Sequence, residues 1–344
     1  MKKIITLVLF SLLFSVTAYS AQNGFGVMSF RPATDNGNYL GVWDSHVLGK
    51  GEWFFGTILD YSYRPLQTTK NGTRETGILD NVFEQHLYSS VGIINDRLEV
   101  GLDIPIGWWL KYRDQNKVAL GDVLLNAKIS LLNMKNSGVG LSVMPFISLP
   151  TGKSSYFFGD GVVTAGGNLI AELNPVNRIF IAMNLGLLAK KNYTFRDIDD
   201  TSKLTGGLGI AFAATDSLNL SEDLLFKTRL SGVFKEKAET PVELLTGIKY
   251  AIKKTNFLVN CGFGIGLING AGAPSYRILI GLGYNLPSCK GADVVANYIS
   301  ERGIDKERMS IKANGSDNPI ADNSTESGRQ ANRRTEIKIK DGLK

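Results

Sequence analysis

The sequence predicts an all-β fold, an antiparallel transmembrane β-barrel of about fourteen strands, or twelve in the alternative count, followed by a short α/β tail. Three observations carry this expectation. Apolar residues alternate with small or polar ones over many separate segments, as they must when one face of each strand meets hydrocarbon and the other a polar interior. The segments run to about eleven residues, longer than most strands of globular proteins. Aromatic residues (Trp53, Tyr61, Tyr63, Trp108, Trp109, Tyr250, Tyr276, Tyr284) gather near segment ends, where a ring keeps one edge wet. Composition agrees: mean hydropathy is -0.01. After residue 20 no apolar run reaches the length of a membrane-spanning helix.

The chain opens with Lys2 and Lys3, an apolar run from Ile4 to Val16, and the small-x-small site Ala18-Tyr-Ser20 before Ala21, which reads as a secretory signal over residues 1–20. Export places the rest beyond the cytoplasm, in the cell outer membrane, with lipid and the barrel assembly machinery as partners. The net charge of +6 is spread without the clusters of a nucleic-acid binder, so no nucleic-acid partner is expected.

From Gly24 to Leu286 the alternation predicts strands near 24–31, 38–48, 51–63, 81–94, 97–110, 120–133, 137–149, 162–174, 177–190, 203–214, 217–229, 240–252, 255–267 and 275–286, within a barrel domain over 21–286. The last strand is the clearest. Tyr276, Ile278, Ile280, Leu282, Tyr284 and Leu286 form an apolar face with a tyrosine near each end, against Arg277, Leu279, Gly281, Gly283 and Asn285. In 97–110, Leu98, Val100, Leu102, Ile104, Ile106 and Trp108 oppose Arg97, Glu99, Gly101, Asp103 and Gly107. In 257–267 the inner face holds Asn260, Gly262, Gly264 and Gly266. These glycines relieve crowding inside the barrel and are not a dinucleotide fingerprint, because no helix follows. If 24–31 and one further weak segment lie outside the wall, the count is twelve. Short links, such as 95–96, 135–137 and 215–217, read as periplasmic turns. The longer ones, near 64–80, 111–119, 150–161, 191–202, 230–239 and 268–274, face outside, and none is long enough to form a plug.

Strand parity turns Asp60, Glu84, Arg97, Glu99, Asp103, Lys128, Lys249 and Arg277 into the lumen, where charge must be wet or paired. A narrow barrel would pair them as a structural network; a wider one would let them tune solute passage. His46 and His86 stand without a nucleophile pattern or metal-ligand spacing, and Gly152-Lys-Ser154 lacks the first glycine of a phosphate loop. No catalytic site, metal or cofactor is therefore expected, and the chain does not read as an enzyme. Pairing of the last two strands sets Cys261 opposite about Leu282, on the order of 20 Å from Cys289 and beyond disulfide reach.

Two stretches carry a resemblance to known proteins. Gly281-x-x-Tyr284-x-Leu286 resembles the carboxy-terminal signal by which bacterial outer-membrane barrels are recognised for insertion, departing from it at Ile280, where a polar residue is usual. Beyond Leu286, Val295-Ala-Asn-Tyr-Ile299, Gly303-Ile304, Arg308, Gly315, Asn318-Pro-Ile-Ala-Asp-Asn-Ser-Thr325 and Gly328-Arg-Gln-Ala-Asn-Arg-Arg-Thr-Glu-Ile337 resemble the second half of the OmpA-like peptidoglycan-associating domain. Ser29-Phe-Arg-Pro-Ala33 and Asn38-Tyr-Leu-Gly-Val42 likewise resemble the opening of the wall in OmpA-like barrels.

The resemblance implies an OmpA-like, monomeric, structural envelope protein. Peptidoglycan is its implied partner, and Arg329, Arg333 and Arg334 are the residues left to touch it. The half of the domain that supplies the family's diaminopimelate-binding aspartate and arginine has no counterpart: no Thr-Asp loop precedes the helix, and the arginine's place falls at Gly291. Half a domain leaves Val294, Val295, Tyr298 and Ile299 without a covering sheet, so residues 287–344 should be poorly ordered. The alternative function is a porin-like channel or transporter for small solutes, motivated by strand count and the charged inner face.

Overall fold

A computed structural model describes residues 24–67, 69–70, 73–74, 77–134, 138–287 and Arg302. The wall consists of β1 Trp53–Leu66, β2 Leu79–Ile94, β3 Leu98–Tyr112, β4 Val123–Leu132, β5 Val139–Leu149, β6 Thr164–Val176, β7 Ile179–Ala189, β8 Lys203–Ala213, β9 Leu218–Arg229, β10 Val242–Ala251, β11 Phe257–Ile268 and β12 Tyr276–Leu286. Consecutive strands pair antiparallel, and β1 closes onto β12 in a register running from Trp53 opposite Leu286 to Tyr63 opposite Tyr276. Closure leaves no open sheet edge, the condition under which strands can lie in hydrocarbon. Gln115–Leu120 prolongs the wall beside the upper part of β3.

The period-two pattern gives the closed sheet two chemically different faces. On β12, Ile278, Ile280 and Leu282 are exposed outward, while Arg277, Leu279 and Gly281 are buried inside. At the end with the short turns, Trp53 stacks on Phe55 at 5.6 Å, and Phe257 lies 4.9 Å from Tyr284. At the opposite end Tyr63 stacks on Tyr276 at 5.1 Å. A bulge between the Phe83–Trp109 and Glu84–Gly107 pairs inserts one extra residue into β3. Both Trp108 and Trp109 therefore face outward, which a regular strand forbids for neighbours.

Two expected strands are absent from the wall, which makes the count twelve among the described residues. Residues 24–31 and 38–48 do not pair into the sheet. Instead the segment 24–52, called the plug below, runs through the lumen. The Gly26 N–H meets Asp160 at the loop end, and the Lys50 N–H meets Asn95 at the turn end. A segment surrounded by wall on every side has no solvent asymmetry to write alternation into its sequence, so its irregular apolar residues mimic weak strands. The expectation that nothing long enough for a plug exists was confined to the outer loops, and the plug comes from ahead of the first strand. Cys261 is exposed on the outer face and sits opposite Ile280, two positions from the expected Leu282. Residues 1–20, the turn at 135–137, Cys289 and the tail 288–344 apart from Arg302 lie outside the described residues.

The apolar core lies inside the barrel, between plug and wall. Phe30, Leu40 and Leu48 pack with Phe54, Ile58, Tyr88, Leu245, Leu258 and Leu279. Toward the loop end, Phe25 and Val27 join Leu79, Leu110, Phe157 and Phe158, because the loop between β5 and β6 folds inward through the short 3-10 turn Ser154–Tyr156. Inner glycines make room for the plug: a Cβ on Gly262 would stand 2.4 Å from Leu40 Cδ1, and one on Gly209 2.6 Å from the Tyr39 ring.

Candidate functional site: a lumen filled by its own N-terminal segment

The plug has no regular secondary structure, so its backbone polar groups need partners from elsewhere. The inner wall supplies them as side chains. Three successive N–H groups, of Leu40, Gly41 and Val42, donate to one oxygen of Asp223 at 2.9, 2.7 and 3.2 Å. Such a run of amides is a concave nest for an anion. Asn184 accepts from the Trp43 N–H and donates to the Trp43 carbonyl, both at 2.8 Å. Glu172 takes the Ser45 N–H at 3.0 Å and its hydroxyl at 2.7 Å, and Glu99 takes the Leu48 N–H at 3.0 Å. Lys249 donates to the Gly37 carbonyl at 2.8 Å.

Two buried charge clusters flank these contacts. Lys128 forms an ion pair with Asp35 and stands 3.6 Å from Asp44 and 3.8 Å from Glu99, so one wall cation is shared by two plug carboxylates and one wall carboxylate. In the second cluster Arg277 bridges Asp60 and Glu243, the latter through Nε at 2.6 Å. Its guanidinium lies 5.0 Å from the centroid of plug residue Phe30, whose ring also meets His86 edge-on. His86 is hydrogen-bonded to Asp103 at 2.9 Å, and Arg31 of the plug donates to the other oxygen of Asp103 at 2.9 Å. Asp60, Glu84 and His86 offer ligand atoms within 4.8 Å of one another. With Arg277 already on Asp60 and Asp103 on His86, the three act as members of an ion-pair network.

Of the polar residues that parity assigned to the lumen, Asp60, Glu84, Glu99, Asp103, Lys128, Lys249 and Arg277 are buried inside the wall. Arg97 is a correction. It sits exposed in the turn between β2 and β3, because β3 begins only at Leu98 and the turn residue is free of strand parity. Gly281 is on the inner face, Tyr284 is half-buried and Leu286 is exposed. Arg329, Arg333 and Arg334 lie outside the described residues. Sequence reasoning did not name Glu172, Asp223 and Glu243, and it set Asn184 on the inner face of its strand without singling it out. All four hold inner parity on predicted strands, so the same alternation could have found them; what it lacked was a plug for them to hold.

At the loop end the electrostatics change character. Asp122 is buried and accepts N–H groups from Gly152 at 2.8 Å and Asp160 at 2.6 Å. Burial pushes its carboxyl up to about 6, against those two amides, with the Asp160 charge adding to the rise. Asp160 is lowered instead: burial would raise it, and Lys190 beside it more than offsets that. Lys190 is raised, its own burial being outweighed by Asp160 and Asp200.

No protein-family model matches the chain. Among solved structures, an outer membrane channel from Pseudomonas putida F1 is similar over 71% of this chain and 98% of its own, with a TM-score of 0.58 and 12% identity. What the two share is the fold. The NanC porin covers 67% of this chain and 100% of its own at a TM-score of 0.47 and 7% identity. Among curated proteins, the peptidoglycan-binding protein ArfA of Mycobacterium bovis and that of Mycobacterium tuberculosis are each 43% identical over 58 residues, 17% of this chain. The chain spans 18% of the length of these relatives.

Proposed function

We propose that the protein is an outer-membrane channel for small solutes whose lumen is occupied at rest by the plug. The observation that carries this reading is how the plug is held. Apart from one bridge at its end, where Lys50 meets Gly92, its backbone is bound by hydrogen bonds to wall side chains such as Asp223, Asn184 and Glu172. Each such bond contributes only about 0.5–1.5 kcal/mol net, so the plug can leave or shift while the wall, held by its own ladder, stays closed. Lumen charges then serve two states: paired with the plug in one, lining a wet passage in the other. Liposomes loaded with an impermeant osmolyte test the reading. Swelling in small sugars or amino acids that depends on the inserted protein supports it, and vesicles as tight as protein-free controls contradict it.

A second reading, an OmpA-like envelope protein associated with the cell wall, has the ArfA similarity in its favour. Arg329, Arg333 and Arg334 are its candidate contacts. Sedimentation with purified peptidoglycan, lost when all three are changed to Gln, is the outcome that reading requires.

A further inference from the structure

A chamber of about 230 Å³ lies within the lumen, bounded by Phe30 and Trp43 of the plug and by Phe157 and Phe158 of the inward loop. At roughly 10–15 Å³ of such volume per water, it has room for about fifteen to twenty water-sized groups.

Its charges are unequally satisfied. Arg31 is paired with Asp103, Lys190 with Asp160 and Asp200, and Lys203 with Asp200 at 2.8 Å. Of the carboxylates on the lining, Glu243 is taken by Arg277, Asp122 by backbone amides, and Glu84 stands 3.6 Å from His86. Lys227 of β9 also lines the chamber and, among the described residues, its ammonium has no carboxylate within ion-pair distance. Arg31, Lys190 and Lys203 line the same space, Lys203 standing two positions from Thr205, the residue paired with Lys227. An unmatched ammonium beside other cations in a concave, partly open space is a site for an incoming anion. Much of the remaining wall is apolar, with Phe146, Phe158 and Leu188 lining the same space.

We infer that this chamber binds a small organic monoanion, a carboxylate carrying an apolar body, with its head on Lys227 and its body against Phe146, Phe158 and Leu188. Preorganised charge at one end and apolar surface elsewhere is the usual make-up of a selective small-molecule site. The inference deepens the channel reading by giving the lumen a preferred solute. Binding is read at equilibrium, so a protein that binds but never conducts would overturn the channel reading and leave this one standing.

The test is calorimetric titration of the full chain in detergent with phenylacetate, its uncharged analogue phenylacetamide, and inorganic phosphate. Saturable phenylacetate binding, at least tenfold tighter than either of the other two, is expected. Lys227→Met should bring phenylacetate down to the level of the amide, and Lys227→Arg should keep most of the affinity. Equal binding of acid and amide by the native chain overturns the inference, as does no saturable binding of phenylacetate. Phosphate binding as tightly as phenylacetate overturns the apolar half of it. Full affinity in a Lys227→Met protein that keeps the mobility of a folded barrel on unheated gels overturns the role of Lys227.

Discussion

The carboxamide of Asn184 and the backbone of Trp43 exchange two hydrogen bonds of 2.8 Å, so that a wall side chain plays the part of a neighbouring strand toward the plug. Asn is suited to this because one group offers an acceptor and a donor in the spacing of a peptide. The consequence is that the plug is fastened at discrete points and not along a ladder.

Asn184→Leu keeps the bulk and removes both bonds. Each buried backbone group left unpaired costs about 1–3 kcal/mol, paid by the docked plug and not by the wall. Amide hydrogen exchange should therefore speed up in residues 39–48 with the strand amides unchanged. Undiminished protection of the Trp43 amide would show that this clasp does not hold the plug.

Lys128→Met strands Asp35, Asp44 and Glu99 without their shared cation. Removing one partner of a buried charge set typically costs about 3–5 kcal/mol. Limited proteolysis should cut within residues 24–50 of the variant and leave the native protein intact. A plug equally resistant in both would mean that this cluster is not a fastening.

Gly262 and Leu40 form a fitted pair, in which a Cβ on Gly262 would press on the Leu40 Cδ1 and force that side chain to shift. Gly262→Ala should lower the thermal midpoint through overpacking of about 1–3 kcal/mol, and adding Leu40→Ala should recover part of the loss. Strictly additive effects of the two changes would mean that they do not touch in the folded protein.

Asp122 gives the loop end a pH dependence whose sign is fixed. Its carboxyl is raised from 3.8 to about 6, so the folded state holds a proton that the unfolded chain has released. The resulting stability is fully present below about 4 and is lost as pH rises through about 6. Asp160 is lowered, so its contribution changes only below the ordinary carboxylate range and leaves this window alone. Protection of the Gly152 and Asp160 amides should fall between pH 4 and pH 7, and Asp122→Asn should flatten that fall. A slope unchanged by the substitution would assign it to other groups.

The wall was legible because each strand separates two solvents. Ile278, Ile280 and Leu282 against Arg277, Leu279 and Gly281 can be read without a structure, and most of the inner charges follow from the same parity. Arg97 was misplaced by one residue, since alternation carries no mark of where a strand yields to its turn. The plug was not legible: Tyr39, Leu40, Val42 and Trp43 are buried without respect to parity, and stretches such as Asn38 to Val42 imitate a strand. Its partners Asp223 and Asn184 are local polar residues whose meaning depends on a segment roughly 140 to 180 positions away.

Planar-bilayer recording of the full chain beside a chain lacking residues 24–48 tests the stopper directly. The account predicts rare or small conductance steps for the full chain and steps several-fold larger, with the barrel still folded, once the segment is gone. Identical currents from the two proteins, whether both open or both silent, would contradict it.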